Sequence, residues 1–161
     1  MSTTEETAPP RRKRSPIKGF LAGAIGGLAG AAAKAAGEAV YPPRTLGQIP
    51  PPAVLVNRMS ERPLSEKEEE VSVQAIHWTF GALVGGVYGI VAEYQPAVTS
   101  RLGANFGVTL CGITHASALP LMGLTEKPED QPVREHASEL VTHTMYGVTT
   151  ELVRRLARKV L

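Results

Sequence analysis

A single cysteine, Cys111, stands among the 161 residues, so no disulfide can close within the chain. Aromatic residues amount to only 5%, and they are not interleaved with the basic ones. With a formal net charge of +2, this leaves no electrostatic footprint for nucleic acid. No nucleophile–base pair, phosphate-cradling loop or cofactor motif occurs, so neither an enzyme nor a bound cofactor is expected. Charge is itself missing over long stretches, because the polar residues collect in 1–16, 41–72 and 125–136. The mean hydropathy of -0.04 averages over this segregation and hides it.

What remains between the polar stretches is four apolar segments, at 17–41, 71–94, 102–124 and about 136–155. A bilayer core of about 30 Å asks for roughly 20 mostly apolar residues per helix. The second and third segments meet this well, and the first does so through weakly hydrophobic Ala and Gly. The fourth is far more polar; its soluble readings are a surface amphipathic helix or a bundle lining. The first segment also has the layout of a signal peptide, with RRKR at 11–14 and Ala33-Lys34-Ala35 as a small-x-small site. Two further uncharged stretches of spanning length argue instead for an anchored, multi-pass chain.

Charge placement points to four crossings. Arg11, Arg12, Lys13, Arg14 and Lys18 precede or open the first segment, and Arg154, Arg155, Arg158 and Lys159 close the last. Two basic ends on the cytoplasmic side require an even number of crossings. Residues 1–16 are expected as a disordered basic tail, and 17–161 as a four-helix transmembrane domain. The proline-rich stretch 42–70 is expected to cross the outer face as an extended loop.

Within the segments, small and ionisable residues recur every four positions. The second segment carries His77, Gly81, Gly85, Gly89 and Glu93 on one row. The first carries Ala22, Gly26, Gly30, Lys34 and Glu38, beside a second ridge of Gly19, Gly23 and Gly27. The third has Gly103, Gly107, Cys111 and His115; the fourth has Glu139, His143, Gly147, Glu151 and Arg155. In lipid, helices associate through close approach of small residues, and ionisable groups turn toward the protein interior. The sequence therefore predicts an all-α membrane bundle packed through small-xxx-small ridges. Antiparallel threading sorts its polar residues into an outer layer of Lys34, Glu38, His77, His115, Glu139 and His143. An inner layer gathers Glu93, Glu151, Arg154 and Arg155. The outer layer has the ligand types for a transition metal without diagnostic spacing, and Lys34 stands beside it, so no metal is expected.

These residues resemble a family of YagU-like bacterial inner-membrane proteins, a class of unknown function. The resemblance is carried by KAAGEAVYPPR at 34–44, by His77 through Ala92-Glu93 to Pro96, and by His115 with PLMGLT at 120–125. Ser138-Glu139, His143, Glu151 and Arg154-Arg155 complete it. It implies a multi-pass protein of the bacterial plasma membrane, of uncharacterised activity and linked to acid or stress tolerance. Two other functions stand beside that one: proton-coupled or ion transport through the buried His/Glu layer, and a structural or accessory role in a membrane complex. Expected partners are membrane lipid and a second copy of the chain or another membrane subunit.

Overall fold

The computed structural model describes residues 13–44 and 48–161, and every regular element among them is helical. Most of the expected disordered tail, residues 1–12, lies outside the described residues. Helix α1 (Pro16–Val40) starts where the Ser15 hydroxyl accepts from the Lys18 amide and Pro16 supplies its fixed first-turn φ. It stops at Tyr41, ahead of Pro42-Pro43. A short helix, α2 (Pro51–Met59), follows. This corrects the expectation of an extended 42–70 loop: Pro51 and Pro52 sit in the first turn, where proline has no amide to lose.

Helix α3 (Glu66–Tyr94) opens with a reciprocal capping box between Ser65 and Glu68 and ends ahead of Pro96. A 3-10 turn (Pro96–Gly103) then reverses the chain through left-handed backbone at Arg101, Leu102 and Gly103. Helix α4 (Ala104–Ile113) runs into a π-type turn (Thr114–Ala118) and the single turn α5 (Leu119–Leu121). Pro120 brings no amide to this stretch, and the Ser117 hydroxyl donates to the Gly112 carbonyl at 3.0 Å. After another 3-10 turn (Pro128–Asp130), α6 (Val133–Val160) completes the fold.

Four spanning helices were expected; among the described residues only α1 and α3 are long and apolar enough to cross a membrane. The third segment fails because the π-type turn and Pro120 divide it, leaving an α4 of 10 residues. The fourth fails on composition: α6 has 28 residues but carries Glu135, Glu139, Glu151 and four basic residues from Arg154 on.

Neighbouring helices run antiparallel: α1 packs on both α3 and α6, α4 packs on α6, and the Tyr88 ring of α3 stacks on Phe106 of α4. The contacts are glycine against backbone. A methyl group on Gly23, Gly27 or Gly89 would overlap the carbonyl oxygen of Gly85, Gly81 or Gly19 respectively. On its other side α1 brings Gly26 and Gly30 against Thr150, while Gly107 and Gly147 let α4 and its preceding turn meet α6. Such spacing is what small-residue ridges permit.

The interior is polar and the exterior apolar. Glu139, Glu151, Thr142, Thr150 and Ser138 are the largest fully buried side chains. Ile17, Ile25, Phe80, Leu83 and Val87 face outward on α1 and α3, as do Leu140, Val141, Leu152 and Leu156 on α6. The start of α1 and the end of α6 meet at one end, where Arg158 donates to the Lys13 carbonyl and Lys18 to that of Leu161.

Candidate functional site: a buried carboxylate among two histidines and two cations

At the end of the molecule away from the start of α1, four elements converge on Glu139. The carboxylate is 2% exposed, on the inner face of α6. Lys34, from the last turns of α1, places its ammonium 3.2 Å from Oε2 and also contacts Glu38 one turn later. His115, carried on the π-type turn, brings Nε2 to 3.3 Å of Oε2; His143 brings Nδ1 to 3.4 Å. A π-type turn adds a residue to the helical register and so re-aims the side chains it carries, a device frequent at functional sites. His143 Nδ1 also lies 2.8 Å from the Glu139 main-chain carbonyl, and the two imidazoles meet edge to face at 4.9 Å.

Arg44 enters the same cluster. Its Nη2 stands 3.4 Å from Glu135 Oε1 and 3.6 Å from Glu139 Oε1. The second Glu139 oxygen, Oε1, has no hydrogen-bond partner among the described residues. A cavity of about 290 Å³ adjoins the cluster, lined by Cys111, His115, Gln131, His136 and Glu139 among others. A second of about 190 Å³, lined by Arg44, Thr125, Gln131 and Glu135, lies toward the α1–α3 connection and shares Gln131 with the first.

Of the six outer-layer residues expected from sequence, five come together and His77 does not. Its Nε2 lies 3.4 Å from the Ala31 carbonyl and its ring meets Trp78 edge-on, one face of α3 away from the cluster. Arg44 and Glu135 were not anticipated as members. Glu135 was within reach of the pattern, since one more step of four back from Glu139 arrives at it. Arg44 had no periodic signal; its position is set by the Pro42-Pro43 stop that folds the chain back over the end of α6.

The inner layer divides into two centres. Arg158 grips Glu93 with Nε at 2.6 Å and Nη2 at 3.0 Å, and the Ser15 amide donates to the same carboxylate at 3.0 Å. Glu151, 0% exposed, accepts from Arg154 at 2.7 and 2.9 Å, from Arg155 at 2.5 Å and from the Tyr88 hydroxyl at 2.8 Å. Arg158 and Tyr88 complete what Glu93, Glu151, Arg154 and Arg155 alone suggested.

A family model for proteins of unknown function, DUF1440, matches residues 28–152. The chain belongs to this family. No curated protein and no solved structure matches it. The matched stretch holds every residue of the Glu139 cluster, from Lys34 to His143, together with Glu93 and Glu151.

The two layers differ in charge balance. Glu151 is fully satisfied by its arginines and Tyr88. Around Glu139, Lys34 pairs with Glu38 and Arg44 with Glu135, so two cations face three carboxylates. Among those five charged side chains one negative charge is left over, and an uncompensated buried charge is expensive.

Proposed function

We propose that the chain crosses the membrane four times and binds and passes a cation at Glu139. The observation that carries this reading is the inverted distribution of polarity. Fully buried carboxylates inside and aliphatic side chains outside suit a hydrocarbon solvent. It also accounts for α6, whose averaged composition is polar while the side turned outward is Leu140, Val141, Leu152 and Leu156. The third crossing is α4 continued by the π-type turn and α5; α4 packs on α6, and His115 on the irregular stretch reaches Glu139.

Lys13, Arg14, Lys18, Arg155 and Lys159 at one end orient the termini toward the cytoplasm. The Glu139 cluster then lies in the outer half. The resemblance to YagU-like inner-membrane proteins supports a bacterial plasma-membrane location, with acid or stress tolerance as the setting. The inner layer, with its satisfied partners, holds the helices in register.

In reconstituted vesicles the full chain should pass a cation down its gradient, followed in parallel with a trapped pH dye and a trapped metal-sensitive dye. Glu139→Gln should abolish whichever signal appears, while Trp78→Phe leaves it intact. Vesicles with no signal, or a signal indifferent to Glu139→Gln, refute the reading.

A further inference from the structure

We propose that Glu139, His115 and His143 form a binding site for a divalent transition-metal ion of the Zn²⁺ class. This rests on the reading of Glu139 as a cation site and names the ion. One oxygen or nitrogen from each of the three residues lies within 4.8 Å of the others. Ligands each about 2 Å from a tetrahedral Zn²⁺ stand about 3.3 Å apart. His115 Nε2 and Glu139 Oε2 are already 3.3 Å apart, so the pair needs no rearrangement to share an ion.

Three further features suit a metal. His143 Nδ1 is positioned to donate its proton to the Glu139 main-chain carbonyl at 2.8 Å. With that proton on Nδ1, which stands 3.4 Å from Oε2, Nε2 keeps a lone pair and is the nitrogen that would ligate. Glu139 Oε1, buried and without a hydrogen-bond partner among the described residues, is available to a second donor or to the ion. The adjoining cavity of about 290 Å³ provides room for water or an exchangeable ligand in the fourth position.

The ligand set selects the metal class. Two imidazoles and one carboxylate suit Zn²⁺, Fe²⁺ or Co²⁺, whereas Ca²⁺ and Mg²⁺ call for oxygen cages. Lys34 is the apparent obstacle, since its ammonium is 3.2 Å from Oε2. Its contact with Glu38 gives it an anionic partner to retain when an ion enters, and Arg44 keeps Glu135 in the same way. The charge left over is that of Glu139.

The test uses the full chain, purified in detergent, stripped with chelator and titrated with Co²⁺. A low-symmetry Co²⁺ site absorbs strongly in the visible, and hydrated Co²⁺ barely does. The expected result is one Co²⁺ per chain with strong absorption, displaced by Zn²⁺. His115→Gln and Glu139→Gln should each weaken binding by at least about tenfold, with helical content unchanged by circular dichroism. Lys34→Met removes the competing ammonium and should tighten binding about fivefold, which a merely structural lysine would not do. Absence of saturable Co²⁺ binding, or equal affinity in His115→Gln, overturns the site. Vesicles that pass protons while the protein binds no Co²⁺ overturn the metal inference alone; stoichiometric binding without any flux upholds it and removes the transport reading instead.

Discussion

Glu151 is the residue on which the inner half turns. It has no contact with solvent and is held by Arg154, Arg155 and Tyr88. Two deletions around it separate a hydrogen bond from a stranded charge. Tyr88→Phe removes one interhelical hydrogen bond but keeps the ring stacked at 4.1 Å on Phe106. In membrane proteins that loss averages about 0.6 kcal/mol. Glu151→Ala leaves the buried Arg154 guanidinium without its carboxylate, a loss of about 3–5 kcal/mol. Thermal unfolding in detergent should therefore rank Glu151→Ala far below Tyr88→Phe; comparable losses would refute the paired-charge account.

A second residue-scale outcome concerns Glu68, which precedes the apolar part of α3 at Val71. The hydrogen bond from Arg62, helped by the Ser65 amide and hydroxyl, lowers its carboxyl from 4.5 to about 2. Because the folded value is the lower one, this small stabilisation is complete above about pH 4.5 and disappears as pH falls through about 2. Arg62→Gln should shift the Glu68 titration upward in side-chain carboxyl NMR. An unmoved titration would show that the cap alone holds it.

At the scale of elements, the helix contacts were legible because glycine repeats at a fixed interval. Gly81, Gly85 and Gly89 on α3 meet Gly19, Gly23 and Gly27 on α1, and Gly26 and Gly30 turn to α6. The backbone interruptions were less legible. Pro120 announced a break in the third segment, but the π-type turn that aims His115 has no period to read. The α2 helix was missed because a proline run suits an extended chain and a helix start equally well. The contacts predict a contrast between two glycines. Gly85→Ala drives a methyl group to 2.6 Å of the Gly27 Cα and forces the helices apart, an overpacking loss of about 1–3 kcal/mol. Gly112 has nothing within 4 Å of an added methyl, so Gly112→Ala gains helix propensity of up to about 1 kcal/mol. Opposite signs in detergent unfolding are expected; equal effects would mean that close approach of α1 and α3 does not stabilise the fold.

For the whole molecule, the proposed number of crossings rests on how the end that holds the Glu139 cluster is tied together. Hydropathy averaged along each helix finds two spans, α1 and α3, while the outward side of α6 carries Leu140, Val141, Leu152 and Leu156. The tie is Arg58, just before the end of α2, which donates to the Met122 carbonyl at 2.7 Å and the Gly123 carbonyl at 3.0 Å. The connection between α1 and α3 is thereby joined to the turn that follows α5. If α1 and α3 cross the bilayer, that turn must lie on the same side as α2, and α6 must return through the membrane to bring Arg158 back to Glu93. Single cysteines in a Cys111→Ser background report on this directly, since Glu61, Ala97 and Lys127 are all exposed. An impermeant maleimide applied to intact cells should label Glu61→Cys and Lys127→Cys, and Ala97→Cys only after permeabilisation. Two crossings alone would place Lys127 with Ala97 instead, and would leave Leu140, Val141, Leu152 and Leu156 on the outer side of α6 facing water.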